Sequence, residues 1–78
     1  MNSQVLVNIK VGIKVKIDEI NSDEATQLKL LSLGILPGDT LEVTGRSLFG
    51  GPISMKHENG TFFALRRSHA SLIKVTSI

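Results

Sequence analysis

Two apolar runs near the end of the chain predict a β-hairpin, and this hairpin constrains the fold more than any other part of the sequence. The runs Ile53–His57 and Thr61–Arg66 flank the segment Glu58-Asn59-Gly60. Asn-Gly is a typical two-residue hairpin turn, whereas a three-residue loop would use a glycine in the left-handed conformation. The two loops place the second strand in registers that differ by one residue. Each side chain of that strand therefore lies on one face of the hairpin in the first register and on the opposite face in the second.

The apolar residues decide between the two registers. The two-residue turn would leave Phe63 and Leu65 on the polar face of the hairpin. The three-residue loop pairs Met55 with Phe63 and Ile53 with Leu65, which places four large apolar side chains on one face. We therefore predict the three-residue loop, with Phe62 pointing to the other face.

A single α-helix is predicted over residues 23–33. Asn21 or Ser22 can cap its N-terminus, and acidic residues follow in the first turn, where the helix dipole favours them. Gly34 is placed to end the helix in left-handed conformation, and Pro37 prevents its continuation. The predicted apolar stripe consists of Ala25, Leu28 and Leu31, widened by Leu30 and Leu33.

Alternating apolar residues predict further strands over Val11–Ile17 and Thr40–Arg46, with a bend or bulge at residues 18–20. A short helical turn is expected near residues 68–72, capped by Ser68, and a final strand around residues 72–75. About five short strands with one helix suggest a mainly β fold, a small SH3-like barrel whose closure hides strand edges. The residues expected to shape its turns are Gly34, Pro37, Gly38, Gly50 and Gly60.

Length and composition restrict the function. Seventy-eight residues form one domain, expected to span residues 1–78, with little room for a deep substrate pocket. The chain has no cysteine and its first ten residues lack the features of a signal peptide, so we expect a cytoplasmic protein that does not span the membrane. Nucleophile-elbow and phosphate-loop motifs are missing, which argues against an enzyme.

The nine Lys and Arg residues are scattered, and Trp and Tyr are absent. Nucleic-acid binders usually concentrate basic charge on one face and add aromatic stacking groups. The composition therefore argues against a nucleic-acid partner, and a nucleic-acid-binding barrel is the least favoured alternative.

His57, Glu58 and His69 are the only weak candidates for a metal site. Imidazole and carboxylate groups can bind Fe²⁺ or Zn²⁺. Adjacent strand residues point to opposite faces, however, so His57 and Glu58 should not chelate one ion, and the spacing matches no metal motif. Exposed histidines are the preferred interpretation; weak association with Fe²⁺ or Zn²⁺ is left open, and no cofactor is assigned.

Two pairs of residues are candidates for contact with a partner. Leu48 and Phe49 are apolar residues in a loop, where they either cover one end of the barrel or form an exposed contact. Arg66 and Arg67 either bind an acidic group or are ordinary solvated residues at the end of a strand.

The order of these parts resembles the ferrous iron transport protein A (FeoA) family. The resemblance lies in the helix end and turn, residues 30–38, in the loop at residues 48–53, and in the segment Phe63-Ala64-Leu65-Arg66-Arg67. It is also similar to the SH3-like C-terminal domain of iron-dependent repressors. The resemblance covers about residues 11–75.

The resemblance to this family implies a non-enzymatic accessory protein of bacterial ferrous iron uptake. Its implied partner is FeoB, a membrane transporter with a cytoplasmic GTP-binding domain, through which the chain would sit at the inner membrane. Leu48, Phe49, Arg66 and Arg67 are the residues we expect to bind this partner. A metal-responsive regulatory domain is the alternative function, and weak self-association is left open.

Overall fold

The computed structural model describes residues 3–78, so the first two residues of the predicted domain lie outside the described part. Six antiparallel strands form one sheet in the order β1-β6-β2-β3-β4-β5. The strands are β1 (Ser3–Val5), β2 (Lys14–Ile20), β3 (Thr40–Arg46), β4 (Ile53–His57), β5 (Phe62–Leu65) and β6 (Ile73–Ser77). The helices are α1 (Glu24–Ser32) and α2 (Arg67–Ala70), with 3-10 segments at Leu6–Asn8 and Leu48–Gly50. The mainly β, barrel-like prediction is confirmed, with one strand more than expected.

Two irregularities bend the sheet around its core. The pairing register shifts between Ile17 and Glu19 in β2, and between Val43 and Gly45 in β3. Such bulges increase the local twist and let a single sheet curl. The first of them is the bulge predicted from the sequence, and the second was not foreseen.

The predicted hairpin register is confirmed. Met55 pairs with Phe63 and Ile53 with Leu65, and Gly60 adopts a left-handed φ of +94° in the three-residue loop. Phe62 points away from the core and is exposed, as expected. Because side chains alternate between the two faces along β4, every second one is buried in the interior.

The core is formed by apolar side chains from strands β2 to β6, from both helices and from the connecting segments. Its buried apolar residues are Leu6, Ile9, Val15, Ile17, Leu30, Ile35, Leu41, Val43, Ile53, Met55, Leu65, Ala70, Ile73 and Val75. Neither helix described within residues 3–78 has the length and apolar character needed to cross a bilayer.

The segment before residue 11 is part of the fold, although the sequence analysis assigned it no element. β1 pairs with β6, and Leu6 and Ile9 are buried. The Arg46 guanidinium donates hydrogen bonds to the carbonyl oxygens of Val7 (2.8 Å) and Ile9 (2.7 Å). These bonds tie the segment to β3. The following strand begins at Lys14 and not, as predicted, at residue 11.

The ends of α1 differ slightly from the prediction. Asp23 is the N-cap, because its carboxylate accepts the backbone N–H of Thr26 at 3.0 Å, so the prediction of Asn21 or Ser22 is wrong. Gly34 ends the helix in the predicted left-handed conformation, with φ of +79°. Positive φ also occurs at the other predicted turn glycines, Gly38 and Gly50.

The predicted burial of α1 is confirmed at Leu30 and wrong at the other residues of the predicted stripe. The helix buries Thr26 and Leu30, while Leu28 and Leu31 are exposed. The short second helix begins at Arg67, with Arg66 and not Ser68 in the cap position.

Candidate functional site

The loop between β3 and β4 carries the most exposed large apolar side chains of the described chain. Leu48 is 82% exposed, and Phe49 is 104% exposed, so its ring touches nothing else in the structure. The interpretation in which these residues cover one end of the barrel is therefore wrong. The loop instead presents an apolar projection to the surroundings.

The backbone of this loop is closed by its own hydrogen bonds. The Ser47 hydroxyl donates to the carbonyl oxygen of Pro52 at 2.8 Å, and the Ser47 N–H donates to the same oxygen at 3.4 Å. Phe49 has φ of +64° and ψ of +28°, the left-handed region that non-glycine residues adopt at a cost. The chain thus holds an exposed aromatic residue in an unfavourable backbone conformation.

Arg67 fixes the loop from the other side. Its Nε donates to the carbonyl oxygen of Gly51 at 3.1 Å, and a terminal nitrogen donates to that of Ser47 at 3.3 Å. Arg67 is half-buried in this position, whereas Arg66 is exposed. The two arginines therefore differ: Arg67 supports the loop through these hydrogen bonds, and Arg66 is exposed.

The sequence-predicted contact residues lie close together. A shallow cleft of about 290 Å³ separates the loop from the start of α2, and Gly50, Arg66 and Arg67 line it. Leu48 and Phe49 directly precede Gly50 in the loop but do not line the cleft themselves. We call these side chains, Leu48, Phe49 and Arg66, the loop surface.

The candidate metal residues are arranged differently from the prediction. His57 is buried, with 4% of its surface exposed, so the preference for an exposed histidine is wrong for this residue. The ligand atoms of Asp39, His57 and Glu58 lie within 4.8 Å of one another. The premise that His57 and Glu58 point to opposite faces is also wrong, because Glu58 follows the end of β4 and strand alternation no longer applies to it. His69 is not a member of this cluster.

Hydrogen bonds occupy the polar atoms of this cluster. His57 Nε2 lies 2.7 Å from Asp39 Oδ2, while His57 Nδ1 accepts the backbone N–H of Asn59 at 3.1 Å. Asp39 also accepts the N–H of Leu36 at 2.9 Å, and Glu58 accepts that of Thr40 at 3.2 Å. The cluster therefore ties the β4–β5 turn to the turn before β3.

The hydrogen bonds of His57 argue against a metal ligand. Since Nδ1 accepts a hydrogen bond, the neutral ring carries its proton on Nε2. A metal ion at Nε2 would push this proton to Nδ1 and break the bond from Asn59. No buried side-chain nitrogen or oxygen in residues 3–78 is left without a hydrogen-bond partner, so the buried polar atoms of the cluster are already satisfied within the fold.

The Asp39–His57 pair changes the ionisation of both groups. Burial works against the charged imidazolium, but the hydrogen bond to Asp39 and the charges of Asp39 and Glu58 outweigh it and raise the pKa of His57. The hydrogen bonds from His57 and Leu36 lower the pKa of Asp39. Asp39 was missed by the sequence analysis, because it lies 18 positions before His57 and only the folded register brings them together.

Comparison with known families identifies the domain. The family model described as "FeoA domain" matches residues 5–77. The chain belongs to the FeoA family. No curated protein matches the chain.

Solved structures of FeoA proteins have the same fold. An NMR structure of a FeoA-like protein from Clostridium acetobutylicum is 26% identical, covers 100% of this chain and 90% of its own, and has a TM-score of 0.85. The FeoA protein from Chlorobium tepidum is 27% identical over 96% of this chain and 70% of its own, with a TM-score of 0.89.

The similarity extends to metal-dependent repressors. A manganese-dependent transcriptional repressor, solved in complex with manganese, is 25% identical over 100% of this chain, with a TM-score of 0.90. The matched region is 38% of that repressor. The predicted resemblance to the FeoA family and to an SH3-like repressor domain is thus confirmed.

Proposed function

We propose that this FeoA domain is a non-enzymatic accessory protein of ferrous iron uptake that binds the cytoplasmic part of an FeoB-type transporter through its loop surface. The observation that carries the proposal is the exposed Leu48-Phe49 pair, in a loop whose ends are held by hydrogen bonds of Ser47 and Arg67. Membership of the FeoA family supports a role in iron transport. The protein acts in the cytoplasm and reaches the membrane only through this partner.

The loop surface has the physical properties of an interface. Aromatic side chains with arginine nearby commonly supply most of the binding energy of protein contacts. A loop that is already ordered loses little conformational entropy on binding. Arg67 and Ser47 provide this order through their hydrogen bonds to the loop backbone. Since Phe49 packs against nothing in the isolated chain, core packing does not account for its presence.

Complementation of ferrous iron uptake tests the proposal. A strain lacking the gene would receive the wild-type chain or the double variant Leu48→Asp/Phe49→Asp, and uptake of radioactive Fe²⁺ would be followed anaerobically. We expect the variant to restore little uptake although it folds, because charges replace the apolar contact. Asp tolerates left-handed backbone conformation better than most residues, so the substitution adds no strain at position 49.

Phe62→Asp is the matched control, since Phe62 is an exposed aromatic residue on β5. This variant should restore uptake like the wild type. The proposal is wrong if the loop variant restores full uptake, or if both variants lose it equally while remaining folded.

A metal-responsive regulatory domain is the second candidate, favoured by the similarity to the manganese-dependent repressor. Its site would be the Asp39, His57 and Glu58 cluster, which binds a metal only by breaking the hydrogen bond between Asn59 and His57. Calorimetric titration with Fe²⁺, Zn²⁺ and Mn²⁺ distinguishes the candidates: binding that is lost in His57→Gln supports sensing, and no heat beyond dilution excludes it.

A further inference from the structure

Helix α1 presents an apolar face that the rest of the described chain does not cover. Leu28 is 57% exposed and Leu31 is 52% exposed, one turn apart on the same side of the helix. Leu36, in the segment after the helix, is 46% exposed. Single exposed leucines are ordinary, but a contiguous group of them marks a candidate contact surface.

Part of this face forms one wall of a groove of about 340 Å³ between α1 and the end of β2. Leu31, Ile20, Ile35 and Leu36 give it an apolar lining. The Gln27 side chain fixes the wall by donating to the carbonyl oxygens of Ile20 (3.3 Å) and Ser22 (3.1 Å). These hydrogen bonds connect α1 to the end of β2 beside the groove.

The rim of the groove is acidic. Asp18 and Glu19 line it from β2. The Thr76 hydroxyl donates a hydrogen bond to Asp18, which does not neutralise the Asp18 carboxylate. The Glu19 carboxylate lies 3.9 Å from the Lys74 ammonium group, a long contact between two exposed side chains. Lys29 lies on the opposite side of α1 from Leu31, two positions away on the helix. The chain as a whole carries a net charge of +2, so this negative rim is a local feature.

We infer that this groove binds an amphipathic helix whose apolar side enters between Leu31 and Leu36 and whose Lys or Arg residues pair with Asp18 and Glu19. Helix-in-groove recognition uses apolar anchors at helical spacing, and the acidic rim selects cationic helices over acidic ones. Cytoplasmic segments next to membrane spans are rich in Lys and Arg. The transporter's segment of this kind is the occupant we assign, an assignment that rests on the proposed function.

The test uses the purified chain and a defined probe. The probe is a capped peptide of about 14 residues with Leu at positions i, i+3, i+4 and i+7 of each repeat and Lys elsewhere, and its counterpart has Glu in place of Lys. Titration of ¹⁵N-labelled protein, followed by amide chemical shifts, locates the site and gives the affinity. We expect the Lys peptide to shift amides of residues 18–20 and 27–37, and the Glu peptide to bind much more weakly.

Matched variants separate the groove from general charge effects. Asp18→Asn and Glu19→Gln should each weaken binding about two- to fivefold, since each removes one surface ion pair. Leu31→Ala should weaken it about fivefold through lost apolar contact. Glu42→Gln, which removes an equal charge on β3, and the Leu48→Asp/Phe49→Asp variant should bind like the wild type.

The inference is overturned if no shifts occur, if the Lys and Glu peptides bind equally, if the shifts map elsewhere, or if Glu42→Gln weakens binding as much as Glu19→Gln. Concentration-dependent shifts without peptide at residues 18–37 would assign the face to a second copy of the chain and also overturn it. Because the assay contains no transporter, its failure is distinguishable from failure of the uptake experiment.

Discussion

Phe49 gives an unusual prediction: its replacement by glycine should stabilise the fold while it removes function. The ring is fully exposed and packs against no other residue. Its backbone is left-handed, with φ of +64°. Removing the side chain therefore loses no core contact and relieves the steric cost of the conformation.

The magnitude follows from two opposing terms. A non-glycine residue pays about 1–2 kcal/mol for the left-handed conformation. Glycine itself lowers the stability by about 0.5–1 kcal/mol, because it loses more conformational freedom on folding than phenylalanine does. We therefore expect Phe49→Gly to raise the free energy of unfolding by about 0.75 kcal/mol, the midpoint of a range of about 0–1.5 kcal/mol. For a domain of this size the midpoint raises Tm by about 3–6 °C.

Chemical denaturation and calorimetry check this expectation, with Leu48→Gly as the control. Phe49 is the one non-glycine residue with positive φ among residues 3–78, so glycine at position 48 relieves no strain. It should lower stability by about 0.5–1 kcal/mol. The two neighbouring substitutions thus have opposite signs. A clear loss of stability in Phe49→Gly would refute the reasoning, since it would mean that the ring packs against the domain.

Three further predictions concern the loop and the Asp39–His57 pair. Arg67→Met, which keeps the apolar stem, should cost about 1–2 kcal/mol of unfolding free energy and speed amide hydrogen exchange at residues 47–51; unchanged exchange would show that the guanidinium does not hold the loop. Gly51→Ala should destabilise the fold, because an added Cβ would lie 2.7 Å from Ser47 Cβ; a melting curve identical to that of the wild type contradicts the packing. The difference in unfolding free energy between the wild type and Asp39→Asn should be largest between about pH 3.8 and 6.5. It should fall at higher pH, because His57 loses its proton, and at lower pH, because Asp39 gains one. A difference that does not change with pH would exclude the ion pair.

The sequence predicted the parts of the fold that depend on local patterns. The hairpin register followed from the requirement that Met55, Phe63, Ile53 and Leu65 share one face, and a one-residue error would have exposed all four. Gly34 was recognised because a helix end needs a left-handed residue. Such signals act over a few residues and are readable without knowledge of the rest of the chain.

The errors occurred where contacts between residues far apart in the chain determine the structure. β1 is only three residues long and exists because it pairs with β6, more than 65 positions away in the chain. Leu28 and Leu31 have the spacing of a buried stripe, yet the sheet packs against Leu30 and Thr26 instead. Periodicity shows that a helix has an apolar face, but not which of two overlapping faces meets the core.

The candidate sites show the same limit. Leu48 and Phe49 stood out because apolar residues are unexpected in a glycine-rich loop, but the sequence left open whether they are buried. His57 was expected to be exposed because its spacing to the other candidate ligands matches no metal motif, whereas folding brings Asp39 to it from a distant turn. The difference between Arg66 and Arg67 could not be predicted either, because only the folded structure shows that Arg67 alone reaches the carbonyl groups of the loop.

Direct binding to the transporter tests the central claim most sharply. Purified FeoB-type transporter in lipid nanodiscs would be titrated with wild-type chain, Phe49→Gly and Phe62→Asp, and the three affinities compared by interferometry. We predict that Phe49→Gly, although more stable than the wild type, binds at least about tenfold more weakly, as loss of an aromatic anchor implies, and that Phe62→Asp binds normally. Equal affinities for the wild type and Phe49→Gly would contradict the assignment of the loop surface as the docking site.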